Sequence, residues 1–171
     1  MKEIPVFTDG ACSCNGKAKA KAGIGVFFGE YPLKNISLEL KEAFSKVGIS
    51  ITSVSNQKAE LTAILFAIKS LENELLHGNT VRIYSDSMYS INVCTKWYKS
   101  WKRKEWRKAN GSPVLNRQII EKIVYLLEKY HDKIFFSFTA SHLPEPPKGT
   151  KQHFIWFGNK MADLLAVKSL K

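Results

Sequence analysis

The sequence predicts an α/β fold built on a five-stranded mixed sheet, antiparallel at one side and parallel at the other, with helices packed on it. Three short apolar segments come first, strands then alternate with helices, and no internal repeat or low-complexity tract interrupts them. Residues 4–8 read as the first strand and AGIGVFF (22–28) as the second, joined through the turn signal Asn15-Gly16. Gly23 and Gly25 lack the third glycine and following helix of a dinucleotide fingerprint, and read as positions of close backbone packing. NISLEL alternates Ile36, Leu38 and Leu40 with polar residues, which predicts a third strand, half exposed. Residues 41–53 are polar and unpatterned, a surface excursion. From 56 to 76, Leu61, Ile64, Leu65, Ile68, Leu71 and Leu75 recur at helical spacing and give the strongest helix. TVRIYSD from Thr80 and KIFFSFTA from Lys133 complete the strands, and helices are predicted over 88–108 with a break, 114–130 and 159–170.

The bulk composition narrows the function. The chain has 171 residues, 44% of them hydrophobic and 24% charged, the profile of one ordinary globular domain. It carries neither a signal-peptide core nor a run long enough to span a membrane, which predicts an intracellular protein, in cytoplasm or nucleus, with no membrane partner. Cys12 and Cys14 are too close to bridge without strain and Cys94 stands alone, so reduced thiols are expected and a zinc site is not. Against 15 acidic residues stand 26 Lys and Arg, a net charge of +11 that makes a polyanion the natural partner.

Four acids sit in unusual places. Asp9 in VFTDGAC ends the first predicted strand and Asp86 ends the fourth. If those strands are neighbours, both carboxylates emerge at one carboxyl edge, where open α/β sheets bind ligands. A plain turn role explains either acid equally well when it is taken alone. Glu60 falls on the apolar stripe of the strongest helix, where a charge is costly unless paired or bound to metal. Asp163 stands in the first turn of the last predicted helix, where the helix dipole is a sufficient alternative. Together they suggest hard oxygen ligands for Mg²⁺ or Mn²⁺ and a two-metal phosphodiester hydrolase.

VFTDGACSCNG, AGIGVFFG, SNQKAEL, YSDSMYSIN, TKWYKSWKRKEWRKANGSPVLN and GNKMADLLA, in this order, resemble type 1 ribonuclease H, in particular its eukaryotic-type catalytic domain. The resemblance covers nearly the whole chain, with additional length at 41–53 and 144–157. It implies the ribonuclease H fold over 1–171 as a single catalytic domain; because the sequence begins almost at the first predicted strand, the amino-terminal hybrid-binding module of many relatives is not expected, and a monomer is expected. It further implies an endoribonuclease that cuts the RNA strand of RNA/DNA hybrids with two Mg²⁺ ions, Mn²⁺ being able to substitute, and leaves 5′-phosphate and 3′-hydroxyl ends. Asp9, Glu60, Asp86 and Asp163 match the family's metal-holding acids. Asn15, Asn56 and Gln57 match its hybrid contacts, although Asn15 also suits a turn and Asn56 a helix cap. Ser55 and Asn116 match its phosphate pocket, in which Ser53 replaces the usual arginine. Residues 96–108, with seven basic residues and three tryptophans, resemble its basic protrusion. There Tyr89, Trp97 and Trp101 would line the groove, unless individual tryptophans belong to the core. For the family's mobile-loop histidine, His142 has the strand context and His153 the usual spacing to Asp163; His142 is preferred, because loops absorb insertions more easily than strand ends move. A DNA-acting enzyme of the same fold and a basic module without catalysis are the rival readings. The four acids weigh against the second rival, and the amide set with the tryptophan-rich arm against the first.

Overall fold

The computed structural model describes residues 2–13, 19–29, 31 and 34–171. Five strands among them, β1 (Glu3–Ser13), β2 (Lys21–Phe27), β3 (Ile36–Glu39), β4 (Thr80–Ser85) and β5 (Ile134–Phe138), form one sheet in the order β3-β2-β1-β4-β5. β3, β2 and β1 pair antiparallel, while β1–β4 and β4–β5 are parallel. The helices are α1 (Leu40–Lys46), α2 (Asn56–Ser70), α3 (Glu72–Leu76), α4 (Met88–Asn92), a π-helical turn (Val93–Trp97), α5 (Tyr98–Arg103), α6 (Arg117–Lys129) and α7 (Lys151–Lys168).

Side chains alternate across β1, and that alternation builds two cores. Ile4 and Val6 join Ile24, Val26 and the α2 residues Leu61, Ile64, Leu65 and Ile68 on one face. Phe7 points to the other face, where it meets Tyr84 and Ala162 of α7. Helices therefore cover both faces. On the second face α7 approaches the sheet so closely that only glycine fits beneath it: a Cβ at Gly25 would stand 2.1 Å from the Ala162 carbonyl oxygen.

Four local expectations are corrected. β1 does not stop at Thr8 but runs on to Ser13, because β2 keeps pairing with it after β4 has ended, through Asp9↔Gly25 and onward to Ser13↔Lys21. Residues 41–53 are no plain excursion: α1 buries Leu40, Ala43 and Phe44 against the core. The long helix breaks at Leu71 into α2 and α3. The last helix starts at Lys151, not 159, with Thr150 capping it by accepting from His153 N–H at 3.1 Å, so much of 144–157 is helical. No described helix is long and apolar enough to cross a membrane.

Candidate active site

Asp9 lies one residue past the last rung that β1 shares with β4, Thr8↔Ser85, and Asp86 is the first residue after β4. Two neighbouring parallel strands thus deliver their carboxylates at one level, although Asp9 itself sits inside β1. Glu60 arrives from the second turn of α2. A Cβ at Gly10 would stand 2.7 Å from the Glu60 backbone nitrogen, and its absence lets α2 lie directly on the strand beside Asp9. Carboxylate oxygens of Asp9, Glu60 and Asp86 all fall within 4.8 Å of one another.

Asp9 is 4% exposed and Glu60 3%. Burial pushes the Asp9 carboxyl up to about 8, with the charges of Asp86 and Asp163 adding to the rise and bonds from Glu60 and the Gly10 N–H opposing it. Burial, and then Asp9 itself, drives Glu60 well above the ordinary carboxylate range. Asp86 is raised by burial and by Asp163. Glu60 Oε2 is buried with no hydrogen-bond partner, and no Lys or Arg forms an ion pair with these acids among the described residues. Carboxylates so placed stay charged together only if a cation joins them. An all-oxygen donor set with an orphaned buried oxygen fits a hard divalent ion.

Asp163 lies in the middle of α7, not in its first turn, so the helix dipole does not explain it. It stands outside the 4.8 Å group, half-buried, yet close enough to raise both Asp9 and Asp86. His142 follows β5 in the left-handed region (φ 58°), and its charge opposes the rise at Asp86. His153 is engaged elsewhere: its Nε2 lies 2.8 Å from the Glu145 carboxylate and its ring stacks on Phe157.

Of the remaining expected contacts, Asn15 lies outside the described residues. Ser55, not Asn56, caps α2 by accepting from Lys58 N–H at 3.1 Å, which leaves Asn56 and Gln57 exposed in the first helical turn. Asn116 precedes α6 in the left-handed region (φ 63°) and donates from Nδ2 to Tyr89 Oη at 3.1 Å. Tyr89, Trp97 and Trp101 form a file of rings, with centroids 6.0 and 5.8 Å apart, on the arm that holds the π-helical turn. Trp106 belongs to the core instead, 8% exposed beneath the Arg117 guanidinium.

Two residues near the site escaped sequence reasoning. Lys58 donates from Nζ to the Ser53 carbonyl and hydroxyl at 2.9 and 2.7 Å. Its one signal was its place opposite Ser53 across the start of the helix. Asn159 is buried one turn before Asp163 with its Oδ1 unpartnered, and the four-residue spacing was its signal.

The sequence model of the family RNase H matches residues 1–171. Ribonuclease H1 of Rattus norvegicus is 29% identical over 170 residues, 99% of this chain and 51% of its own length. Ribonuclease H of Clostridium botulinum (strain Hall) is 33% identical over 136 residues, 78% of this chain and 80% of its own. The chain thus spans about half the length of the rat relative. Among solved structures, the PFV RNase H domain superposes with a TM-score of 0.67 at 20% identity, covering 97% of this chain and 93% of that one. The foamy viral protease-reverse transcriptase in complex with RNA/DNA hybrid gives 0.69 at 17%, covering 97% of this chain and 20% of that one. The family match runs the full length of the sequence, over a sheet whose carboxyl edge gathers buried acids: this chain belongs to the ribonuclease H family.

Proposed function

We propose that the protein hydrolyses the RNA strand of RNA/DNA hybrids, as an endonuclease that leaves 5′-phosphate and 3′-hydroxyl ends. The observation that carries this reading is the convergence of Asp9, Glu60 and Asp86, with one buried oxygen of Glu60 unpartnered, in a chain of this family. Asp9, Glu60, Asp86 and Asp163 would hold two divalent ions, Mg²⁺ or Mn²⁺, whose chemistry when bound is to activate water and to stabilise charge on the phosphate and the departing oxygen. Glu60 and Asp9 are withheld from water by α2 and the sheet, so their charge is directed at whatever occupies the carboxyl edge. His142, exposed and near enough to act on the Asp86 charge, would assist proton traffic at the rim. Asn56 and Gln57 offer uncharged amides of the kind that suit 2′-hydroxyls, by which RNA is told from DNA. The rings of Tyr89, Trp97 and Trp101, among the cations of 96–108, suit the partner strand.

A labelled hybrid digested with Mg²⁺, beside single-stranded RNA, double-stranded RNA and DNA, tests this reading. The expected outcome is cleavage of the hybrid's RNA strand alone, lost in Asp86→Asn with the fold retained by circular dichroism. Equal cutting of duplex DNA would overturn the substrate, and intact hybrid after long incubation with Mn²⁺ would overturn catalysis.

A further inference from the structure

Between β5 and α7 the chain runs over 139–150 with no helix or strand of its own, mostly exposed, and it carries His142. A cleft of about 750 Å³ lies between this segment and the first turns of α7, with Leu143, Pro144, Ile155 and Trp156 in its walls. Close packing therefore does not fix the segment. Three bonds cross to the helix instead, one at every second residue. Trp156 Nε1 donates to the Leu143 carbonyl at 2.9 Å, His153 Nε2 lies 2.8 Å from the Glu145 carboxylate, and Thr150 Oγ1 donates to the Pro147 carbonyl at 2.7 Å. Pro144, Pro146 and Pro147 stiffen the span, since each fixes its own φ and holds the residue before it extended. Few other conformations compete with the tied one.

The bond at Leu143 adjoins His142, whose φ of 58° is uncommon for a residue with a side chain and persists where its surroundings hold it. Trp156 stands seven residues before Asp163 on α7, about two turns along the same side of the helix. One rigid helix thus carries both an acid of the cluster and the anchor of the histidine. We infer that Trp156 is a positioning residue: its indole N–H, backed by the His153–Glu145 pair, holds the backbone at Leu143 and so keeps His142 at the rim of the acidic cluster. This inference rests on the role given to His142 above. Trp156 itself takes no part in bond breaking.

The test compares the parent with Trp156→Phe, which keeps a ring and loses the donor, and with Trp156→Phe combined with Glu145→Ala. Nitrogen-15 relaxation of the metal-free proteins should show the His142 and Leu143 amides rigid in the parent, with order parameters of about 0.85, and falling toward about 0.6 in the double variant. With Mg²⁺ and labelled hybrid, the double variant should lose about fivefold in single-turnover rate while half-saturation stays unchanged. In a His142→Ala background the same two substitutions should change the rate no further, a silence that a merely structural role would not produce. Thermal melting confirms that each variant is folded. Unchanged order parameters overturn the inference, as does a loss of rate that persists in the His142→Ala background. A parent-like rate in His142→Ala alone would instead overturn the role given to that histidine, and the order parameters would then decide the tether by themselves.

Discussion

At Asp9 the chain holds a carboxyl whose pKa is raised from an ordinary 3.8 to about 8, chiefly by burial. Between those values the folded protein retains a proton that the unfolded chain has released, so unfolding is increasingly favoured as pH rises. The stabilising contribution is complete below about pH 4 and is lost as the pH climbs through about 8. The metal-free protein should therefore melt several degrees lower at about pH 8.5 than at about pH 5, relative to Asp9→Asn, which lacks the titration. The paired comparison removes the general effect of the +11 charge. Added Mg²⁺ or Mn²⁺ should raise the melting temperature of the parent more at the higher pH, because ligating carboxylates must be deprotonated and a cation then offsets their charge. Thermal unfolding across pH, with and without metal, checks both outcomes, and a parent that follows Asp9→Asn throughout would contradict them.

Between elements, the approach of α2 to β1 is fixed at Gly10. An added methyl would meet Glu60 N at 2.7 Å and Ala59 Cβ at 2.8 Å, so Gly10→Ala should lift the start of α2 and part Glu60 from Asp9. A displacement of about 1 Å at a reacting centre costs on the order of a hundredfold in rate. Steady-state kinetics should show that loss in kcat, while urea unfolding shows a cost of about 1–3 kcal/mol. What could be read in advance also divides at this scale. The strand order's ingredients and the helix carrying Glu60 were legible, because alternation and 3.6-residue periodicity report which side of an element is buried. The true end of β1 was not: Asp9-Gly10 has the local chemistry of a turn, and only pairing with β2, a partner distant along the chain, keeps it extended. Likewise the first turns of α7 were missed, because FIWFG beyond the prolines shows no one-sided stripe. Its aromatics pack on Phe7 and Phe27 from one side and remain partly exposed on the other. The three acids that meet were legible individually, whereas the contact of Lys58 with Ser53 emerged only in the fold.

For the molecule as a whole, the excess of cations is spread unevenly in effect as well as in place. On the basic arm Lys102 is paired with Glu128 at 2.7 Å and ties α5 to α6, whereas Lys99 and Lys104 are exposed and form no ion pair among the described residues. Replacing Lys99 and Lys104 together by alanine should raise KM with kcat kept, and should lower the salt slope of hybrid binding by about two. Lys102→Ala should change that slope far less. Binding titrations across a salt series, read beside initial rates, separate the two kinds of lysine.

The π-helical turn at Val93–Trp97 bears on this same arm. Eight steps of ordinary α-helix would leave Tyr89 and Trp97 about 80° apart around the axis. The wider turn takes up that offset like a rotary shim, and the two rings meet edge to face at 6.0 Å. One surplus residue thereby converts what regular geometry would fan out into an aligned ridge, and the spiral's local irregularity becomes the means by which the arm presents a single continuous rail.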